Sequence, residues 1–182
     1  MVNVLSSPLY ILATCIAYLV DADTRTTFEE KAKLITVFGK HVSRKELSQD
    51  ELHGVMTDAF DFVGKIDIDR FIKQIEPQLT AGQKASIIIN LYDAMLVDGQ
   101  VAAGERAVLN KFVGAFNLSR DTMRSIREVM MLKNDTAVFT DNGHPYNEPS
   151  YILDLKLHVP DAEAGKPQLT DNVAGVKENW KT

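Results

Sequence analysis

The feature that most constrains this chain is a repeat. The stretches "ADTRTTFEEK" (residues 22–31) and "VDGQVAAGER" (residues 97–106) align at an offset of 75, pairing Asp23 with Asp98, Glu30 with Glu105 and Lys31 with Arg106. The match continues through Ala32/Ala107, Leu34/Leu109 and Gly39/Gly114, and one further residue of offset pairs "VSR" (Val42 to Arg44) with "LSR" (Leu118 to Arg120). Each copy reads helix, acidic turn, helix, Ser-capped helix. Repeated helical units bury their apolar faces against one another, so the arrangement expected is two three-helix units joined by a linking helix.

The periodicity agrees. "FEEKAKLITVFGKH" sets Phe28, Ala32, Ile35 and Phe38 at three- and four-residue spacing, and "ERAVLNKFVGAF" does the same with Val108, Phe112 and Ala115/Phe116, the pattern of helices with one apolar face. Ser48 with Glu51 and Thr80 with Gln83 have capping-box spacing, Ser119 opens "SRDT" as another helix start, and Pro77 closes the helix before Thr80. The fold class expected is an all-α bundle of about seven helices, near 7–22, 27–41, 48–64, 66–76, 80–98, 102–116 and 119–133, forming a domain over residues 1–133.

Residues 134–182 read as a C-terminal tail. They hold four of the six prolines and eight acidic against four basic side chains, which leaves the body near −1 of a total of −5. "ILDLKLHV" alternates, with Leu153, Leu155, Leu157 and Val159 on one side, the pattern of a half-buried strand. A small β-hairpin is expected there, with Ala137 to Phe139 as the partner strand and "DNGHPYNEP" as a wide turn between them. Trp180 is placed to pin the end of the tail to the body.

Composition narrows the function. A chain of 182 residues with 45% hydrophobic content has the length for one globular core. A net charge of −5, a pI near 5.4 and no evident cluster of Lys/Arg interleaved with aromatics argue against nucleic acid. Cys15, alone in an apolar helical run, reads as a buried thiol. The longest apolar stretch, "PLYILATCIAYLV", has 13 residues and stops at Asp21, short of the roughly 20 that span a bilayer. It has no basic flank or cleavage site either. The expectation is a cytoplasmic protein without membrane insertion.

Two readings of the acidic turns stand side by side. In one they are structural: Thr27 and Glu30 fit a capping box, and Gly99 fits the left-handed residue after a helix. In the other, Asp23 and Asp98 lie at helix C-terminal ends, where the macrodipole disfavours an anion by about 0.3–1 kcal/mol, and Ala102 cannot cap for Glu105 as Thr27 can for Glu30. Something cationic would offset that cost. Carboxylates with turn carbonyls suit a hard cation such as calcium or magnesium, so the candidate metal residues are Asp98, Glu105, Asp23 and Glu30. The spacing is not that of an EF-hand loop. His41, His53, His144 and His158 have no ligand spacing for zinc. No nucleophile motif, phosphate loop or dinucleotide fingerprint occurs, so no enzyme is expected. Asn90 and Asp93, one turn apart in an apolar helix, are read as packing hydrogen bonders or as support for the nearby turn.

The paired turns, with "QKASIIINLYDAMLVDGQVAAGERAVLNKFVGAFNLSRD" and the following "LKNDTAVF", resemble the TerB-like tellurite-resistance family over residues 8 to 140. The second repeat carries the likeness most fully; in the first, Thr24 replaces the Gly. The resemblance implies an all-helical, non-catalytic bacterial protein of the stress response. It further implies metal binding through acidic residues, Asp98 and Glu105 first and Asp23 and Glu30 second. It also implies a membrane-associated protein partner, which would make the chain peripheral to the inner membrane. The alternative is an interaction module whose acidic turns are purely structural.

Overall fold

The computed structural model describes residues 7–22, 37–39, 42–45, 47–96 and 101–153. Helix α1 (Pro8–Asp21) opens with Pro8 in its first turn, where its missing N–H is no loss. Its residues are apolar all round, and it is buried on nearly every side: Ile11 and all of residues 13–20 are out of solvent, the fate of a helix without a polar face. Two hydroxyls on it are satisfied locally or across the core. Thr14 donates to the Tyr10 carbonyl at 2.8 Å and Tyr18 to the Ile66 carbonyl at 2.6 Å.

The helices that follow pack on this one or on its neighbours. α2 (Gln49–Val63) starts at the full Ser48/Glu51 box: the Ser48 amide donates to Glu51 Oε2 at 2.8 Å and the Glu51 amide to Ser48 Oγ at 3.2 Å. Those bonds from Ser48, backbone first and then side chain, hold the Glu51 carboxyl below its usual range. α3 (Ile68–Ile75) is capped by Asp67, whose Oδ1 accepts from the Asp69 amide, and yields to a 3₁₀ turn, Glu76–Gln78, at Pro77. α4 (Ala81–Leu96) begins at the reciprocal Thr80/Gln83 pair. α5 (Ala103–Phe116) ends at Asn117, left-handed at φ 48°, and α6 (Arg120–Asn134) starts at Ser119, whose Oγ accepts from the Thr122 amide. The starts read at Ser48, Thr80 and Ser119 are thus made by the residues named for them, while that at Thr27 lies outside the described residues.

α1 lies against α2, α4 and α5, with α5 and α6 on α4 and α3 on α5. At the centre Phe71 meets Tyr18 at 5.2 Å between ring centroids, Phe62 at 5.6 Å and Phe112 at 6.5 Å, separations at which aromatic pairs add to simple burial. Cys15 is fully buried, and burial pushes its thiol well up. Shifted by 75, Pro8–Asp21 falls on 83–96 within α4, and the helical residues 37–39 fall on 112–114 within α5. The rest of the first copy's acidic turn and second helix lies outside the described residues.

The C-terminal segment corrects one expectation. Ala137 to Phe139 is not a strand but part of a single helical turn, α7 (Ala137–Thr140). Asp135 accounts for it: its Oδ1 accepts from the Ala137 amide at 3.0 Å, and the Asp141 amide closes the turn on the Ala137 carbonyl at 2.8 Å, a local bond that competes with any ladder. Leu155, Leu157 and Val159, and Trp180, lie outside the described residues. "DNGHPYNEP" holds a 3₁₀ turn at Pro145–Asn147. Among the described residues every regular element is helical, and no helix is long and apolar enough to cross a membrane.

Candidate functional site at the joint of α1 and α5

The acidic residue of the second turn, Glu105, occupies the third position of α5. It is 6% exposed. Its Oε2 accepts from the Ala102 amide at 3.1 Å. This is the Glu half of a capping box, made without any side chain at Ala102 to return it. The absence of a capping side chain at Ala102 therefore does not leave Glu105 without a structural task.

Immediately before it, Gly104 meets the end of α1. A Cβ on Gly104 would stand 2.4 Å from the Ala22 carbonyl oxygen and 3.1 Å from its carbon. Only glycine lets the two backbones come so near. The negative end of α1 thereby meets the positive end of α5, a favourable meeting of dipoles. It also places Ala22, the residue before Asp23, against Gly104, the residue before Glu105.

Asp98, Asp23 and Glu30 lie outside the described residues, although α4 ends at Leu96 and α1 runs to Asp21, close in sequence to the two aspartates. Among the described residues no three His, Cys, Asp or Glu side chains converge as a metal would require. Asn90 and Asp93 make packing bonds: Asn90 donates to the Ser86 carbonyl of its own helix at 2.7 Å, while Asp93 pairs with Lys133 of α6 at 2.5 Å. His144 bonds Asp135 through Nε2 at 3.1 Å and accepts from the Tyr146 amide at Nδ1, which ties it to the C-terminal turn.

Sequence reading missed two features. One is the approach of Gly104, whose only local sign is a glycine in a helix's first turn. The other is an arginine face on α6, legible as Arg120, Arg124 and Arg127 at helical spacing in "SRDTMRSIREVM".

An all-α bundle in which a buried glutamate in the first turn of one helix stands at its joint with another is the class of protein these observations define. The family model described as Tellurite resistance protein TerB matches residues 10–128, about two thirds of the chain, and the chain belongs to that family. Neither the curated proteins nor the solved structures compared with it contain a match.

Proposed function

We propose that this protein is a non-catalytic tellurite-resistance and stress-response protein of the bacterial cytoplasm. In this reading it binds a divalent cation, calcium or magnesium, through the acidic turns of its two repeats, Asp98 and Glu105 first, with Asp23 and Glu30 as a second set. The observation that carries this reading is the joint itself. The chain next to Asp23 touches the chain next to Glu105, so the acidic residues of separate repeats start from one place. The donors are all carboxylates, which suits a hard cation.

Glu105→Gln tests the proposal. Glutamine keeps an oxygen for the Ala102 amide and removes the charge. The wild type should gain stability with added calcium or magnesium by RT ln(1 + [L]/Kd), about 2.7 kcal/mol at a hundredfold excess. Glu105→Gln and Asp98→Asn should each lose that increment. A wild type whose melting temperature ignores both ions overturns the metal reading.

One observation favours a second reading. The Glu105 to Ala102 bond is a sufficient structural reason for the carboxylate, which would make the turns purely structural and the protein an interaction module docking on a membrane-associated protein partner. In that case Glu105→Gln is nearly silent and indifferent to added ion.

A further inference from the structure

The exposed face of α6 carries a groove of about 810 Å³ between that helix and the C-terminal turn. Arg120, Arg124 and Arg127 line it at positions that share one side of the helix, all exposed. Between and beyond them the floor is Met123, half-exposed Met131 and, from the turn, Tyr146. Among the described residues lining it Glu128 is the one acidic side chain, and its Oε1 accepts from the Tyr151 hydroxyl at 2.9 Å. Tyr146 is held in place by tilted ring contacts with His144 and Tyr151, each at 5.0 Å between centroids. Apolar side chains stand open in the same segment: Phe139 is 90% exposed and Ile152 79%.

From this we infer that the groove is a docking site for an acidic peptide segment of a partner protein, carboxylates on the arginines and an aliphatic or aromatic side chain against the methionines and Tyr146. Among the described residues the lining holds three arginines and one glutamate, a local excess of positive charge on a chain of net charge −5. That contrast selects the occupant. An extended anionic surface, whether bilayer or nucleic acid, would meet the repulsion of the whole molecule, whereas a short segment meets only the groove. Guanidinium forks match carboxylates in pairs. Arginine, tyrosine and methionine are the side chains enriched where proteins dock, and the flexible thioether adapts to differing side chains.

The test uses the full chain and three probes: a fluorescein-labelled dodecapeptide of alternating glutamate and leucine, the same peptide with lysine for glutamate, and vesicles of equimolar phosphatidylcholine and phosphatidylglycerol. The glutamate peptide should bind in a salt-dependent manner, and the lysine peptide should not. Arg124→Glu/Arg127→Glu, two exposed positions whose change leaves the core intact, should weaken binding by tenfold or more, roughly the cost of setting like charges in register. Circular dichroism of the variant confirms that it is folded. Equal binding by wild type and variant overturns the inference, as does binding to vesicles but to neither peptide. Peptide binding that appears only after Asp154→Asn, Asp161→Asn and Glu163→Gln would assign the groove to the chain's own C-terminal segment, and overturns it too.

Discussion

Helices α1 and α4 occupy equivalent places in the repeat yet live in different surroundings. α1 is enclosed by α2, α4 and α5; α4 keeps one side open and buries only Ile87, Ile88, Leu91, Ala94 and Met95. The residues follow. At the offset of 75, buried Thr14 stands opposite Ile89, which is 41% exposed, Cys15 opposite Asn90, and Tyr18 opposite Asp93. Where the first copy sends a hydroxyl across the core to Ile66, the second sends a carboxylate sideways to Lys133. A duplicated helix can keep its period and its main buried positions while one copy becomes the centre of the bundle and the other its wall.

The largest expected effect tests that assignment directly. Ile16→Ala, at a fully enclosed position of α1, should cost about 2–5 kcal/mol in urea denaturation, whereas Ile89→Ala on α4 should stay within about 0.5 kcal/mol. Similar costs at the two sites would break the contrast between centre and wall.

Next comes the joint. Gly104→Ala forces a Cβ onto the Ala22 carbonyl and should lose about 1–3 kcal/mol. Gly39 and Gly114 match across the repeat, and a Cβ on either meets nothing within 4 Å among the described residues. Alanine at either should stabilise by about 0.5–1 kcal/mol. Unequal gains at these two would show that the repeat's second helices differ as much as its first.

The smallest effects distinguish Tyr18 from Asp93. Tyr18→Phe keeps the ring against Phe71 and leaves the Ile66 carbonyl unpaired, for a loss of about 0.5–1.5 kcal/mol. Asp93→Asn removes a surface pair worth about 0.2–1 kcal/mol. The pH profile separates them further. Burial, then the charge of Asp67 and then Cys15, push Tyr18 up to about 12 from an ordinary 10. In that interval the unfolded chain gives up the tyrosine proton first. Its share of stability is therefore whole below pH 10 and drains away as pH rises toward 12. Chemical denaturation across that range should show a steeper fall in wild type than in Tyr18→Phe.

What could be read from the sequence was what is decided within a few residues. Ser48 with Glu51, Thr80 with Gln83 and Pro77 announced their helix ends because a cap is made by neighbours. The alternation at Leu153 to Val159 suggested a strand, but three apolar residues at Ala137 to Phe139 carry no period, and the bond from the Ala137 amide to Asp135 decided for a helical turn. The Gly104 approach and the arginine groove were out of reach for the opposite reason. One depends on a backbone far away in the chain, and the other on Tyr146 folding back over α6. Of the four candidate metal residues, Glu105 was found at the joint with a bond of its own, which spacing could not have told.

The contact of Gly104 with Ala22 has a bearing on how the two turns would respond to ligands. With no side chain between them, the end of α1 and the first turn of α5 stand in direct backbone contact. Under the cation reading, whatever free energy an ion on the second turn lends to the first, an ion on the first must return in equal measure. Under that reading, the single hydrogen at Gly104 is what lets the two repeats touch where such a coupling would pass.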